Sequence, residues 1–140
     1  MKKTALFLLA LATGAILHAQ DAAQGKYSIT MDFPYVSKYT FRGHELAKGS
    51  IQPSIEIAAG DAYIGLWTNQ PVVDNNDNEF DFYTGYKFKL NDQWSLDSGI
   101  TLYYYPELDH STGLHNTTTE AYVGINGDVA GFKPGLYAYY

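Results

Sequence analysis

Apolar and polar side chains alternate along most of this chain. From residue 26 onward, seven runs of about nine to sixteen residues have a period of two. Successive side chains of a β-strand point to opposite faces of a sheet, so this period predicts strands. Tyrosine, phenylalanine, isoleucine and threonine, which strands favour, are common in the runs. The predicted strands cover residues 26–42, 51–59, 62–70, 79–90, 93–105, 117–126 and 132–140.

The charged residues of these strands all lie at the polar positions of the alternation, which share one parity (odd or even) within each strand and point to one face. In the first and fourth strands they are Lys26, Asp32, Lys38, Arg42, Glu79, Asp81, Lys87 and Lys89. No charged residue of the seven strands lies on the apolar parity. The pattern therefore predicts an antiparallel sheet with one apolar face and one polar face.

The connections between the predicted strands alternate in length. Residues 60–61 and 91–92 are tight turns, whereas residues 43–49, 71–78 and 106–116 are long polar loops. A meander with short turns at one end and long loops at the other is typical of outer-membrane β-barrels. We therefore expect an all-β, antiparallel up-and-down transmembrane barrel.

Alternation alone does not say which face points outward. A soluble lipocalin-type barrel has an apolar lumen and a polar exterior, and this arrangement is the alternative. An apolar face without charge over seven strands would aggregate in water if it were outside. Aromatic residues of the apolar parity gather near strand ends, where lipid headgroups would meet them. These residues are Tyr27, Tyr39, Phe41, Phe80, Trp94, Tyr104 and Tyr140.

Glycines on the polar parity also favour a polar interior. Small residues permit curvature on the concave side of a sheet, and neighbouring aromatic rings cover the gaps they leave. The five glycines are Gly65, Gly85, Gly99, Gly124 and Gly135, and tyrosines on the same parity lie near them at Tyr63, Tyr83, Tyr103, Tyr122 and Tyr137. We favour the membrane barrel over the soluble one.

The N-terminal segment has the layout of a secretory signal peptide. Lys2 and Lys3 precede an apolar run from Ala5 to Leu17, and the small residue Ala19 marks a cleavage site before Gln20. We expect a signal peptide at residues 1–19, a short linker at 20–25 and the barrel domain at 26–140. A buried N-terminal helix is the alternative. No later apolar stretch reaches the roughly 20 residues of a membrane helix, so insertion would use strands.

Composition excludes several classes of protein. The chain has no cysteine, so disulfides and thiolate metal sites are absent. Its formal net charge is −6 over 140 residues, which offers no basic face to nucleic acid. Thirteen residues are tyrosine, a side chain suited to positions with one polar and one apolar side. The expected partners are membrane lipid and a small polar solute, and the oligomeric state stays open.

Several short motifs resemble a family of exported proteobacterial proteins. They are residues 37–43 with Tyr39, Phe41, Arg42 and Gly43, residues 63–69 with Gly65, Trp67 and Asn69, residues 79–86 with Tyr83, Gly85 and Tyr86, and residues 52–53, 103–106 and 120–124. The chain resembles the TorF-like channel proteins, also known as gcw_chp. This resemblance implies an outer-membrane barrel with a role in transport. One departure is Lys38, where the family tends to carry an acidic residue.

Seven strands are an odd number for a bacterial barrel, which has an even count in a single chain. An open edge in lipid would leave backbone groups unpaired. We therefore expect a barrel that is truncated at its C-terminus. The alternative is a true C-terminal insertion signal formed by Leu136, Ala138 and Tyr140.

The polar parity places charged residues at several levels of the expected lumen. Arg42, Glu79, Asp81 and Glu120 would lie near the outer mouth, Lys87 and Lys89 near the periplasmic end, and Glu56 and Asp97 between them. One hypothesis is a structural network of ion pairs that fills the lumen. The other is a polar conduit with a charge filter in which Arg42 faces Glu79 or Asp81.

No residue pattern supports catalysis or a cofactor. His110 has Asp109 and Ser111 as sequence neighbours, but adjacency does not create the geometry of a triad. His110 and His115 do not match a strong metal motif. We therefore expect a porin-like conduit that is not an enzyme and binds no metal. The alternative function is a structural barrel without transport, or a protein that binds partners through its surface loops.

Overall fold

The computed structural model describes residues 27–73, 76–108 and 116–140. All regular secondary structure in these residues is β-strand. The described residues contain no helix long and apolar enough to cross a membrane. The expected signal peptide and linker, at residues 1–25, lie outside the described residues, as do Asp109, His110, Ser111 and His115. The strands are β1 (Ser28–Asp32), β2 (Tyr35–Val36), β3 (Tyr39–Phe41), β4 (His44–Ala47), β5 (Ser50–Ile51), β6 (Ser54–Ala59), β7 (Ala62–Pro71), β8 (Glu79–Lys89), β9 (Trp94–Tyr104), β10 (Thr117–Gly127) and β11 (Gly135–Tyr139).

Nine of these strands form one antiparallel sheet. Its order is β1, β6, β7, β8, β9, β10, β11, with β2 and β5 extending the pairing at one end. The predicted meander is therefore confirmed, and β7 to β10 match the predicted strands closely. Strands β8, β9 and β10 have 11 residues each and pair without interruption. The tight turns at 60–61 and 91–92 join neighbouring strands as expected.

The first two predicted strands are broken by proline, which cannot donate a ladder hydrogen bond. Pro34 separates β1 from β2, and Pro53 separates β5 from β6. Both carbonyl groups still take part in pairing, since the amide of Gln52 donates to Pro34 and that of Thr68 donates to Pro53. Both breaks are local, because β2 and β5 continue the register of β1, β6 and β7, and the chain leaves the sheet only between Val36 and Ser50.

That segment corrects the expected long loop at residues 43–49. Strands β3 and β4 form a hairpin of their own, with Phe41 opposite His44. Its two-residue turn consists of Arg42 and Gly43, both with positive φ, at 48° and 84°. Positive φ at both positions is the type I′ geometry that suits the twist of a hairpin. Asn-Gly is the usual sequence signal for this turn, and its absence hid the hairpin from sequence reasoning.

The main sheet is strongly curved, with its polar parity on the concave side. The hydroxyl groups of Tyr63 on β7 and Tyr122 on β10 are in contact, although β8 and β9 lie between these strands. On a flat sheet, strands three positions apart are separated by about 14 Å. Curvature and the convergence of the two side chains close that gap.

Burial on the two faces is the reverse of that in a water-soluble sheet. On β9, Asp97 of the concave face is 7% exposed, whereas Ile100 of the convex face is 51% exposed. The convex face carries most of the exposed apolar residues, including Ile57, Ile64, Phe82, Phe88, Ile100, Leu102 and Val123. The predicted division of faces is confirmed for β6 to β10.

The sheet is open among the described strands. Its edges are β1 and β11, and no pairing joins them. Because the seven strands of the path alternate in direction, β1 and β11 run the same way.

Candidate functional site on the concave face

Tyrosines lie over glycines along one row of the concave face. Tyr63 is opposite Gly85, Gly85 is opposite Gly99, and Gly99 is opposite Tyr122, on four successive strands. A Cβ atom added at Gly85 would collide with the ring of Tyr63, and one at Gly99 with Tyr122. The missing side chains therefore make room for the two rings that meet above them.

The same arrangement occurs twice more. Gly65 lies beneath the ring of its partner Tyr83, and Gly124 lies beneath Tyr137. The prediction that tyrosines cover polar-face glycines is thus confirmed at four positions. Gly135 differs, because its nearest side-chain neighbour is the Oδ1 atom of Asn126.

Asp97 is the hydrogen-bonding centre of the concave face. The Tyr63 hydroxyl donates to its Oδ1 atom at 2.6 Å, and the Tyr137 hydroxyl donates to Oδ2 at 3.2 Å. Asn126 in turn donates from Nδ2 to the Tyr137 oxygen at 2.7 Å. A buried carboxylate is costly unless such donors replace water. The tyrosine hydroxyls supply that replacement, and sequence reasoning, which assigned charges to ion pairs, did not anticipate them.

The two lysines predicted for the periplasmic end behave differently. Lys87 is directly opposite Asp97, and its Nζ atom lies over the ring of Tyr63 at 4.9 Å from the centroid. Lys89 is well exposed and pairs at 2.8 Å with Asp92 in the adjoining tight turn. Of these two, only Lys87 lines the concave cavity.

A cavity of about 390 Å³ occupies the concave side. This volume lies within the range of small-molecule sites. Its charged lining residues are Glu56, Asp81, Asp97 and Lys87, and its aromatic lining consists of Trp67, Tyr63, Tyr83, Tyr103, Tyr122, Tyr137 and Tyr139. The site is therefore rich in aromatic rings and carries more acidic than basic groups.

The β3–β4 hairpin contacts the concave face, which corrects the sequence prediction for Tyr39 and Phe41. Both residues were expected on the lipid-facing side. Tyr39 instead packs on Trp67, with ring centroids 5.4 Å apart, and Phe41 packs on Tyr103 at 6.1 Å. The alternation continues in the sequence through Phe41, but the chain leaves the sheet after Val36, so from there the position of a residue in the alternation no longer gives its face.

Arg42, at the tip of this hairpin, binds a carboxylate on the concave face of β10. Its Nη1 and Nη2 atoms donate to Glu120 on β10 at 2.7 and 2.8 Å. Tyr103 donates to the same carboxylate at 3.0 Å, and the guanidinium lies 5.1 Å from the ring centroid of Tyr139. The hydrogen bonds to Glu120 raise the pKa of Arg42 above its ordinary value. The hypothesis that Arg42 faces Glu79 or Asp81 is therefore wrong in its partner, because Glu120 takes that role.

Glu79 and Asp81 lie near the base of the hairpin without a basic partner among the described residues. Glu79 is 3% exposed and accepts a hydrogen bond of 2.9 Å from the Tyr105 hydroxyl. Burial raises the pKa of Tyr105, and this hydrogen bond raises it further. The Oδ1 atom of Asp81 is buried and has no hydrogen-bond partner within the described part of the chain.

The residues that carry the family resemblance cluster in the same region. Tyr39, Phe41, Arg42 and Gly43 form the hairpin, and Gly65, Trp67, Tyr83 and Gly85 line the concave face. Asn69 is buried and accepts a hydrogen bond of 2.9 Å from Gln52. Tyr86 is the exception, since it is exposed beside Phe88. Most of these motif residues thus build one structure and do not form separate sites.

The described ranges contain no group of three or more histidine, cysteine or acidic residues placed to hold a metal ion. The concave face presents polar and aromatic side chains. Its chemistry is that of tyrosine hydroxyls, ring faces, carboxylates and two cations, Lys87 and Arg42.

A family model described as a bacterial protein of unknown function (Gcw_chp) matches residues 20–133. No curated protein and no solved structure shows a significant match.

Proposed function

We propose that this chain, which belongs to the Gcw_chp family of bacterial proteins, is an outer-membrane β-barrel protein that forms a narrow conduit for small polar solutes. Export would use the N-terminal signal peptide expected from the sequence. The likeness to TorF-like channel proteins supports the same function.

The inverted burial of the sheet carries this proposal. Within the described residues, Ala47 and Tyr63 are the only buried hydrophobic residues. A chain of this length in water would need a far larger apolar core to offset its loss of conformational entropy. Lipid against the convex face would supply the missing burial, and the same face carries no charge on β6 to β10.

Closure of the barrel sets a condition on the proposal. An open edge in the hydrocarbon layer leaves backbone groups without partners. Edges β1 and β11 run in the same direction, so a direct seam between them would be parallel. An antiparallel seam requires an additional strand between them. Either arrangement would enclose the concave face as a lumen.

Planar-bilayer conductance of the refolded protein tests the conduit. We expect discrete conductance steps. Thr101→Trp, which adds a large side chain on the cavity side of β9, should reduce the step size. Leu102→Trp places the same ring on the convex face one residue later and is the matched control. Insertion without any steps, or equal effects of the two substitutions, would contradict the conduit.

The second candidate is a structural barrel without transport, or one that binds partners through its loops. The observation that favours it is the β3–β4 hairpin, which crosses the concave face and is held at its tip by the bond between Arg42 and Glu120. Such a hairpin would obstruct one end of the lumen. Stable insertion of the folded protein with no conductance would support this second function.

A further inference from the structure

The composition of the concave cavity points to a particular charge of ligand. Three of its lining residues are carboxylates, Glu56, Asp81 and Asp97, and Lys87 is the basic residue among them. None of the three carboxylates forms an ion pair with another described residue. The neighbouring Arg42 is already paired with Glu120. The cavity lining therefore carries more carboxyl groups than basic groups, and Glu56 and Asp97 have no ion-pair partner among the described residues.

The protein's own cations show how the ring faces of this surface are used. The Lys87 ammonium lies 4.9 Å from the ring centroid of Tyr63, within the range of a cation–π interaction. The Arg42 guanidinium lies 5.1 Å from the ring centroid of Tyr139. Both rings line the cavity. An ammonium and a guanidinium thus already lie over tyrosine rings in this structure.

Hydrogen bonding also favours a cation over a neutral polyol. Both oxygens of Asp97 already accept hydrogen bonds from tyrosines, so this carboxylate offers charge more than free acceptor sites. Tyr83, Tyr103 and Tyr122 line the same space. Aromatic faces and nearby carboxylates are the combination that recognises organic ammonium groups.

We propose that the concave cavity binds small organic cations, with the ammonium or guanidinium group on the tyrosine rings and beside Glu56. Lys87 competes with the ligand for the same surface. The inference deepens the proposed function by naming a class of solute, and it rests on that function only where passage across a membrane is concerned.

Equilibrium binding to the full chain, refolded in detergent micelles, tests the inference. The probes are n-butylammonium, n-butanol and butyrate, which share an alkyl chain and differ in charge. Trp67 lines the cavity, so its fluorescence reports occupancy, and Trp94→Phe removes the signal of the second tryptophan. We expect saturable binding of butylammonium, and no saturable binding of butanol or butyrate.

Two substitutions should shift the affinity in opposite directions. Glu56→Gln removes one carboxylate charge at constant shape and should weaken butylammonium binding about fivefold. Lys87→Met removes the internal competitor and should tighten binding by a similar factor. Glu107→Gln, at an exposed position outside the cavity lining, is the matched control and should leave the affinity unchanged. Circular dichroism verifies that each variant folds, and Lys87→Gln replaces Lys87→Met if that variant does not.

The outcomes separate this inference from the conduit. Butylammonium binding without conductance steps would retain the site and remove the conduit. Conductance without saturable butylammonium binding would retain the conduit and overturn the cation site. Equal responses to all three probes, or a Glu56→Gln affinity equal to that of Glu107→Gln, would also overturn the cation site.

Discussion

The two faces of this sheet are built from the same strands but depend on different surroundings. On β9, Asp97 points into a network of tyrosine hydroxyls, and Ile100, three residues later, points away from the protein. The concave face supplies its own partners through hydrogen bonds and ring packing. The convex face has few partners within the chain, so its stability depends on what surrounds it.

This difference means that the two faces place different requirements on the sequence. Side chains on the concave face must match one another in shape and hydrogen bonding, as Tyr63 and Gly85 do. Convex-face side chains need only be apolar and free of charge. Substitutions on the two faces should therefore respond to different variables, which gives a direct way to test the comparison.

The largest effect is expected from a charge on the convex face. If the proposed barrel is correct, Ile100→Lys should lower the free energy of unfolding in lipid vesicles by about 2–4 kcal/mol, because the lysine would lose its hydration in the hydrocarbon layer. Denaturant titration monitored by tryptophan fluorescence measures the change. Thr101→Lys, the concave-face control, should cost much less. A change within about 0.5 kcal/mol for Ile100→Lys would mean that water covers this face.

A methyl group on the concave face should have the next largest effect. Gly99→Ala would place a Cβ atom against the backbone carbonyl of Thr84 and the hydroxyl of Tyr122. Since the backbone must shift, we expect a loss of about 1–3 kcal/mol in the free energy of unfolding. Gly135→Ala serves as the reference, since the added atom would meet the end of the Asn126 side chain at 3.1 Å and the Tyr137 ring at 3.6 Å, and no backbone atom. Equal stability of the two variants would show that Tyr122 moves aside at little cost.

Removal of the central carboxylate should have a somewhat smaller effect. Asp97→Ala leaves the Tyr63 hydroxyl without its carboxylate acceptor, whereas the Tyr137 hydroxyl keeps the Oδ1 atom of Asn126 at 3.0 Å, and the expected loss is about 1–2 kcal/mol. Denaturant titration again provides the measurement. Ser95→Ala, on the same strand and parity, removes a hydroxyl for which no side-chain partner is seen within the described residues, and it should be nearly neutral. A neutral Asp97→Ala would indicate that water replaces the carboxylate.

The smallest effect on global stability is expected at the hairpin tip. Arg42→Asn removes the ion pair with Glu120 and introduces a residue that tolerates the positive φ of this turn. Amide hydrogen exchange should therefore speed up in β3 and β4 while β8 to β10 stay unchanged. Lys38→Asn, which removes an exposed ion pair with Glu45 in the same segment, is the control. Unchanged exchange in Arg42→Asn would show that ring packing alone holds the hairpin.

The regular part of the fold was predictable because a strand's alternation is local. Strands β8 and β9 have no proline and no break, so the parity of Asp81 or Asp97 in the sequence gave the correct face. The same rule failed at Tyr39 and Phe41, where the chain leaves the sheet. The chain leaves the sheet only after Val36, where the alternation of the sequence is unbroken, so the pattern held no signal of the departure.

The partners within the site were less predictable than its composition. Sequence parity placed Arg42, Glu79, Asp81 and Glu120 together, but it could not rank three carboxylates as partners for one guanidinium. Distance along the chain would have suggested the nearest acid, whereas the hairpin carries Arg42 to Glu120, 78 residues away.

By itself, the sequence determined which side chains share a face on β6 to β10, because covalent geometry sets the alternation of a strand regardless of its neighbours. Only the tertiary structure decided how far the sheet bends and what meets across it. The contact between Tyr63 and Tyr122 requires two glycines in register on the intervening strands. That register arises from pairings between distant segments, which no local pattern encodes.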